Sequence, residues 1–412
     1  MTGITNDIVK NILSTYFNKS QIKEFKEIVV RSGKSYGKNK SKITKSDKQQ
    51  LDSNLHGKEY TVYIELLITF ASEKLSSYKL IELMLYLGET CIAQGELETA
   101  SQIYFRILTK INSESHLENI AANSLLALGE INSRQAKWEK SIAFINQAKK
   151  IFNKQNDLKG IAKCNNMLGT IYGDRGNIKK AKECFENSLS ILDSQTDSAL
   201  IGMIETNIGI LNNIKGDYDE SLLYYQRALI KYEQLKDVLR MSQLRHNLGM
   251  LHTQKKEYEP ALREFDRSIT ISIKAGFLPN LALSYLSKAF IYAKSEDLPL
   301  ASAFADKSLE ISRQLNDRLS IADIYKIKGI IERKLKSYII SENYFLTSLR
   351  LNTELENILN HAETLYELGE LYLELDRKIE AKKCFKTALK DYRKMGADIH
   401  IKELTDRIDC IL

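Results

Sequence analysis

The sequence predicts an all-α fold, a stack of helix hairpins, on three observations. Apolar residues make up 43% and charged residues 27% of the 412-residue chain, which supplies a large core and argues against disorder along its whole length. Only 3 prolines occur, at Pro260, Pro279 and Pro299, and no stretch alternates apolar and polar side chains for long. Sandwiches, barrels and propellers, with their many turns, are thereby excluded. The third observation is an internal period. Small residues recur at Gly88, Gly129, Gly169, Gly209, Gly249, Ala289, Gly329 and Gly369, spaced by 41 once and by 40 thereafter.

Three further columns keep step with the first. Twelve residues on stand Ala100, Ser141, Ala181, Ser221, Ala261, Ala301, Ser341 and Ala381, all Ala or Ser. Sixteen residues on, the column is mostly aromatic: Tyr104, Ile145, Phe185, Tyr225, Phe265, Ala305, Phe345 and Phe385. Nineteen residues on, seven of eight are small, from Ala148 and Ser188 to Ser348 and Ala388. Small residues at two facing columns let antiparallel helices approach closely. The aromatic column is expected to fill the wider gap near the hairpin base. Turn signals fall within hairpins, as in DRGN (174–177) and IKGDY (214–218), and between them, as in KQNDLKG (154–160) and QLNDRLS (314–320). One hairpin cannot bury its apolar faces alone, so neighbours must stack into a solenoid.

The segments NIGILNNIKGDYDESLLYYQRAL (207–229) and NLGMLHTQKKEYEPALREFDRSI (247–269) carry the resemblance: the chain resembles the tetratricopeptide-repeat (TPR) family over residues 81–396. The resemblance implies an α-solenoid, a right-handed superhelix of about eight hairpins, here in a 40-residue version rather than the commoner length of about 34. Ala289, Lys256 and Lys378 depart from the preferred types and are expected to weaken their own repeats.

The flanks read as follows. Residues 1–32 form an N-terminal helical segment, with Ile8, Ile12, Phe17 and then Ile22, Phe25, Val29 at helical spacing and Ser20 as a plausible N-cap. Residues 33–58 read as a basic linker and 59–80 as a lead-in helix against the first repeat. Residues 397–412 read as a capping helix with Ile401, Leu404 and Ile408 on its covered side. Residues 1–58 hold 12 Lys/Arg against 5 acids, and the remainder holds 48 of each, so the whole net charge of +7 sits there. Such a segment could touch nucleic acid, an anionic membrane or an acidic protein, but Tyr36 is the sole aromatic within 31–50 and no helix-turn-helix is readable.

Chemistry is sparse. The six histidines are scattered without zinc spacing, and the five cysteines (Cys91, Cys164, Cys184, Cys384, Cys410) form no CxxC. SGKS (32–35) matches the end of a phosphate-binding loop, but Ile28 stands where that loop needs glycine. No catalytic residue, cofactor site or metal site is assigned, and the chain is read as not an enzyme. With no signal peptide, no membrane span and unpaired cysteines, the expected location is cytoplasmic.

In TPR families the groove is lined by the first helix of each hairpin, at fixed offsets around the small residue. Carried onto this chain, those offsets give Asn123, Arg134, Lys163, Asn166 and Asn207, then Asn213, Gln243, His246, Asn247 and Gln254. Arg134, Lys163, Asn166, Asn207, Gln243, His246 and Asn247 are the candidate peptide-binding residues. Amide side chains offer both donors and acceptors to an extended backbone, and Arg134 and Lys163 suit a carboxylate. Nearer the C-terminus the offsets give Asp323, Lys326, Arg333 and Lys334 in repeat seven, and an acidic stripe of Glu363, Glu367, Glu370 and Glu374 in repeat eight. That face is expected to be solvated, or to meet a charged partner.

The leading expectation is a non-catalytic scaffold that grips a partner peptide or helix in the concave groove. The layout is also similar to bacterial RRNPP-type peptide receptors, which implies a signalling switch whose solenoid changes pitch on binding a peptide. Residues 1–58 lack the DNA-reading module of some members, which leaves a protein-inhibiting version. A nucleic-acid-associated subunit using residues 31–50 is the third reading.

Overall fold

A helix follows a helix with a turn about every twenty residues, and each boundary has a local cause. The computed structural model describes residues 12–37, 61–111, 117–194 and 196–409, all in helices and turns with no strand among them. The chain divides into two compact units, Met1–Ile131 and Asn132–Leu412. No helix among the described residues is long and apolar enough to cross a membrane.

The first unit holds α1 (12–16), α2 (Lys19–Gly37), α3 (61–74), α4 (Ser77–Gln94), α5 (Leu97–Ile111) and most of α6 (Glu118–Arg134). Asn18, not Ser20, caps α2. Its side chain accepts from the Gln21 amide at 2.9 Å while the Gln21 side chain accepts from the Asn18 amide at 3.0 Å, a reciprocal capping box. The SGKS string lies inside α2 as helix, not as a phosphate-binding loop. Phe17, Phe25, Tyr63 and Phe70 join α1, α2 and α3, with ring centroids 5.3–5.4 Å apart. Arg106–Glu65 at 2.7 Å and Thr61–Thr99 at 2.9 Å tie α3 to α5, so the lead-in helix does meet the first hairpin. Most of the basic linker, 38–58, lies outside the described residues, as do 1–11 and 410–412.

The second unit continues with α7 (Trp138–Gln155), α8 (Leu158–Asp174), α9 (Ile178–Leu189), α10 (Ser198–Lys215), α11 (Tyr218–Leu235), α12 (Val238–Gln254) and α13 (Tyr258–Ala275). It ends with α14 (Leu278–Lys294), α15 (Leu298–Gln314), α16 (Arg318–Lys334), α17 (Tyr338–Glu354), α18 (Ile358–Glu374), α19 (Lys378–Met395) and α20 (Asp398–Asp409). The turn strings between repeats supply the caps: Asp157, Asp237, Asp317 and Asn357 each accept an amide proton three residues on, at 2.9–3.2 Å. Leu404 and Ile408 of α20 are buried and Ile401 leans on the same cluster, which closes the last hairpin.

The columns find their partners inside each hairpin. A Cβ built on Gly169, Gly209, Gly249, Gly329 or Gly369 would lie 2.4–2.6 Å from the ring sixteen residues later. The aromatic column therefore rests directly on the glycine column and does not fill a gap at the hairpin base. Repeat six, which has Ala289 in place of glycine, has Ala305 in place of the ring. Both are fully buried, so one exchange compensates the other and the expected local weakening does not follow from a clash. Serines in the two small columns donate to backbone carbonyls of the first helix: Ser221 to Gly209 and Ser341 to Gly329, Ser188 to Ala162 and Ser308 to Ala282, at 2.7–2.8 Å. Small side chains here allow close approach and also pair polar groups that approach would bury. Lys256, the second departure, sits at φ 60°, where Gly176 and Gly216 serve two other hairpin turns.

Between repeats five and six the core turns polar. Asn280 donates to Ser242, Ser268 and Ser272 at 2.7–3.0 Å, and Ser268 meets Ser284 at 3.0 Å, all of them buried.

The second unit closes on itself. The Trp138 indole donates to the Leu355 carbonyl at 2.9 Å in a buried bond. Arg175 bridges Glu139 at 2.9 Å and Glu356 at 3.0 Å. Gly216, at φ 91°, lies so close to Ile399 that a Cβ would stand 2.3 Å from its Cδ1, and Gly176 similarly faces Met395 at 2.9 Å. Ile178 joins the apolar cluster built from repeats six to eight and α20. All these residues stand at helix ends or in turns.

Candidate functional site

The first helices α8, α10 and α12 carry six of the seven candidate residues, and the seventh, Arg134, is exposed at the end of α6. Asn166 and Asn207 come together across neighbouring repeats: the Asn207 amide donates to the Asn166 side-chain oxygen at 2.9 Å. Asn166 is buried and Asn207 half-buried, so one end of each amide is engaged within the protein. Gln243 accepts from Arg240 at 3.4 Å. Lys163 and Asn247 are half-buried, and neither has a side-chain hydrogen bond or ion pair among the described residues.

His246 stands apart from this face. It is 9% exposed, its Nδ1 lies 3.2 Å from the Ser284 hydroxyl, and its ring centroid is 5.4 Å from that of Phe265. Burial pushes its pKa down to about 4. It belongs to the polar seam and is neutral at ordinary pH.

The flanking positions also resolve. Asn123 donates to Asn119 one turn earlier on α6, at 2.6–2.9 Å, and the Asn213 side-chain oxygen is buried without a partner among the described residues. Between the amides the same offsets place half-buried apolar side chains: Met167 on α8, Met203 and Ile210 on α10, Met250 on α12 and Phe290 on α14. The sequence reading tracked polar groups alone and missed these, although the offsets would have found them. The result is a strip over α8, α10 and α12 in which amides alternate with methionine and isoleucine beside Lys163.

Repeats six to eight differ. The acidic stripe and the basic cluster are neither solvated nor left for a partner, because they neutralise each other. Glu367 accepts from Arg333 at 2.7 Å and from Lys294 at 2.9 Å, and both Glu367 and Arg333 are buried. Lys326 pairs with Asp323 at 2.7 Å and with Glu363. Glu370 takes a bidentate pair from Arg407 of α20 at 2.7 and 2.9 Å, and Lys334 pairs with Glu296 at 3.0 Å. Burial disfavours both charged forms, but Asp323 and Glu363 outweigh it for Lys326 and hold its pKa above the usual value. Lys294 and Arg333 do the same for Glu367 and hold its carboxyl below the usual range.

Thiol chemistry finds no support: Cys91, Cys164 and Cys384 are buried, and burial pushes Cys164 up to about 12 and Cys384 up to about 11.

Comparison with known proteins agrees with the repeat. The tetratricopeptide-repeat family profile matches residues 160–234 and 200–274, and a second profile of the same repeat matches 362–390. Human tetratricopeptide repeat protein 29 is 27% identical over 143 residues, which span 33% of this chain and 29% of that protein's length. Among solved structures, a Rap protein complexed with competence and sporulation factor superimposes with a TM-score of 0.50 at 14% identity, covering 79% of this chain and 80% of its own. A tetratricopeptide repeat protein from Parabacteroides merdae has a TM-score of 0.40 at 16% identity, covering 69% of this chain and 98% of its own. The chain carries tetratricopeptide repeats over residues 160–274 and 362–390, within an all-α solenoid whose fold is similar to that of the Rap protein.

Proposed function

We propose that the chain is a non-catalytic interaction protein that holds an extended peptide of a partner on the strip formed by α8, α10 and α12. The observation that carries this reading is the contrast along the first helices. The charged side chains Lys326, Arg333, Glu363 and Glu367 of repeats seven and eight are paired within the chain, whereas Lys163 and Asn247, beside half-buried Met203, Ile210 and Met250, have no side-chain partner among the described residues. Amides pair with a peptide backbone whatever its side chains, and the flexible methionines adapt to those side chains. Lys163 would meet a carboxylate of the ligand.

The test is selection of a displayed random peptide library on the full chain, followed by titration of the enriched peptides. Lys163→Gln with Asn247→Ala should weaken them by about tenfold, as loss of one charged and one neutral hydrogen bond implies. Unchanged affinity would remove the strip as the site.

A ligand-driven switch is the second reading, favoured by the closure of the second unit. A change of pitch in repeats three to five would have to move Trp138 relative to Leu355. Trp138 is the sole tryptophan, so its emission should shift to the red when a selected peptide opens the closure. A peptide that binds without moving the emission supports the static scaffold. Cytoplasmic signalling by repositioning the N-terminal helices belongs to the same proposal.

A further inference from the structure

The closure also builds a cleft of about 590 Å³, a size common for small-molecule sites. Its walls are α9, α10, the start of α11 and the end of α19, and it shares no residue with the peptide strip. Five cations line it: Lys179, Lys182 and Lys215 from repeats three and four, and Arg393 and Lys394 from α19. Three of them have acidic neighbours, since Lys215 meets Asp217 at 2.7 Å, Lys182 meets Glu186 at 3.7 Å and Lys394 meets Asp391 at 3.4 Å. Lys179 and Arg393 have no carboxylate partner among the described residues. Glu220 also lines the cleft, so its five cations face three carboxylates, with Glu186 and Asp217. Closing the unit brings Lys179 and Arg393 from distant parts of the chain to one space as a positive excess that an anion would neutralise. Ile208, Leu211, Tyr224 and Met395 give the same space an apolar lining.

We propose that this cleft binds a small organic anion, with a phosphate, sulfonate or carboxylate group held by Lys179 and Arg393 and an apolar or aromatic body against Ile208, Leu211, Tyr224 and Met395. Occupancy bridges α9 to α19 and so stabilises the closed form of the second unit. The proposal is independent of the peptide strip, because neither residue set contains the other.

The probe is 8-anilino-1-naphthalenesulfonate, titrated into the full chain by its fluorescence. Two comparison ligands separate the contributions: uncharged N-phenyl-1-naphthylamine has the body without the anion, and inorganic phosphate has the anion without the body. Saturable binding of the sulfonate is expected, with both comparison ligands weaker by about tenfold or more, because each lacks one of the two contributions. Lys179→Gln with Arg393→Gln should weaken the sulfonate by about tenfold. The exposed pair Lys150→Gln with Lys274→Gln removes the same charge elsewhere and should leave its binding unchanged. Both cleft cations are exposed, so helicity should be retained, and Arg393→Gln alone serves if the double variant does not fold. Equal losses in the two double variants, or none in the cleft variant, would overturn the proposal. Equal binding of the uncharged analogue, or of phosphate alone, would overturn the assigned ligand class.

Discussion

His246 makes the second unit sensitive to mild acid in a window set by one buried imidazole. In the folded protein burial holds its pKa at about 4, against about 6.5 in an unfolded chain. The folded pKa is depressed, so the unfolded state binds more protons between those values. The contribution to stability is complete above about pH 6.5 and is lost as the pH falls towards 4. Each unit of difference corresponds to about 1.4 kcal/mol, so the whole window is worth about 3 kcal/mol, of which about 2 kcal/mol has gone by pH 5. The control is His246→Leu, which places at this position the residue that repeat six has there as Leu286. Urea unfolding at about pH 7.5 and pH 5 should show wild type losing about 2 kcal/mol more than the variant across that interval. Nuclear magnetic resonance titration of the imidazole should give a midpoint below 5. A midpoint near 6.5, or equal losses in the two proteins, would refute the argument that the ring is sealed in the polar seam.

Two other perturbations test the packing. Gly249→Ala places a methyl 2.5 Å from the Phe265 ring and should cost about 1–3 kcal/mol by overpacking. Adding Phe265→Ala recreates the Ala289/Ala305 pair, and calorimetry of the cycle should show the double variant less destabilised than the sum of the singles. Glu367→Gln leaves buried Arg333 and half-buried Lys294 short of a counter-charge and should cost about 3–5 kcal/mol by chemical denaturation. Replacing Glu367 and Arg333 together by Leu and Met should recover most of that loss, and failure to recover would show that Lys294 dominates the network.

The repeat was legible because it depends on columns that any copy can show. Gly249 and Phe265 are sixteen residues apart within one hairpin, and five other hairpins repeat the spacing with an aromatic ring. The contents of the site were less legible, because burial depends on the neighbouring repeat. Asn207 and His246 occupy adjacent offsets of equivalent helices, yet half-buried Asn207 reaches Asn166 on the preceding first helix while His246 turns inward to Ser284. Ser284, which receives His246, replaces larger apolar groups such as Leu244 and Ile324 at equivalent positions, and that exchange appears only when the helices are placed side by side. The ion pairs of repeats seven and eight lie 34 to 37 residues apart, one period less a turn, and could have been read by aligning successive first helices. Nothing local announces a bond between Trp138 and Leu355.

That bond spans 217 residues. In an open array each repeat senses only the next, stability is close to a sum of local parts, and the termini fray first. Here a lesion at the far end releases contacts near the start, so melting should be more all-or-none than the repeat count implies. The chain must also reach its most distant contacts before it gains from them, which slows folding. Repeat number is fixed by the same geometry: a copy added or removed would leave the indole without its carbonyl.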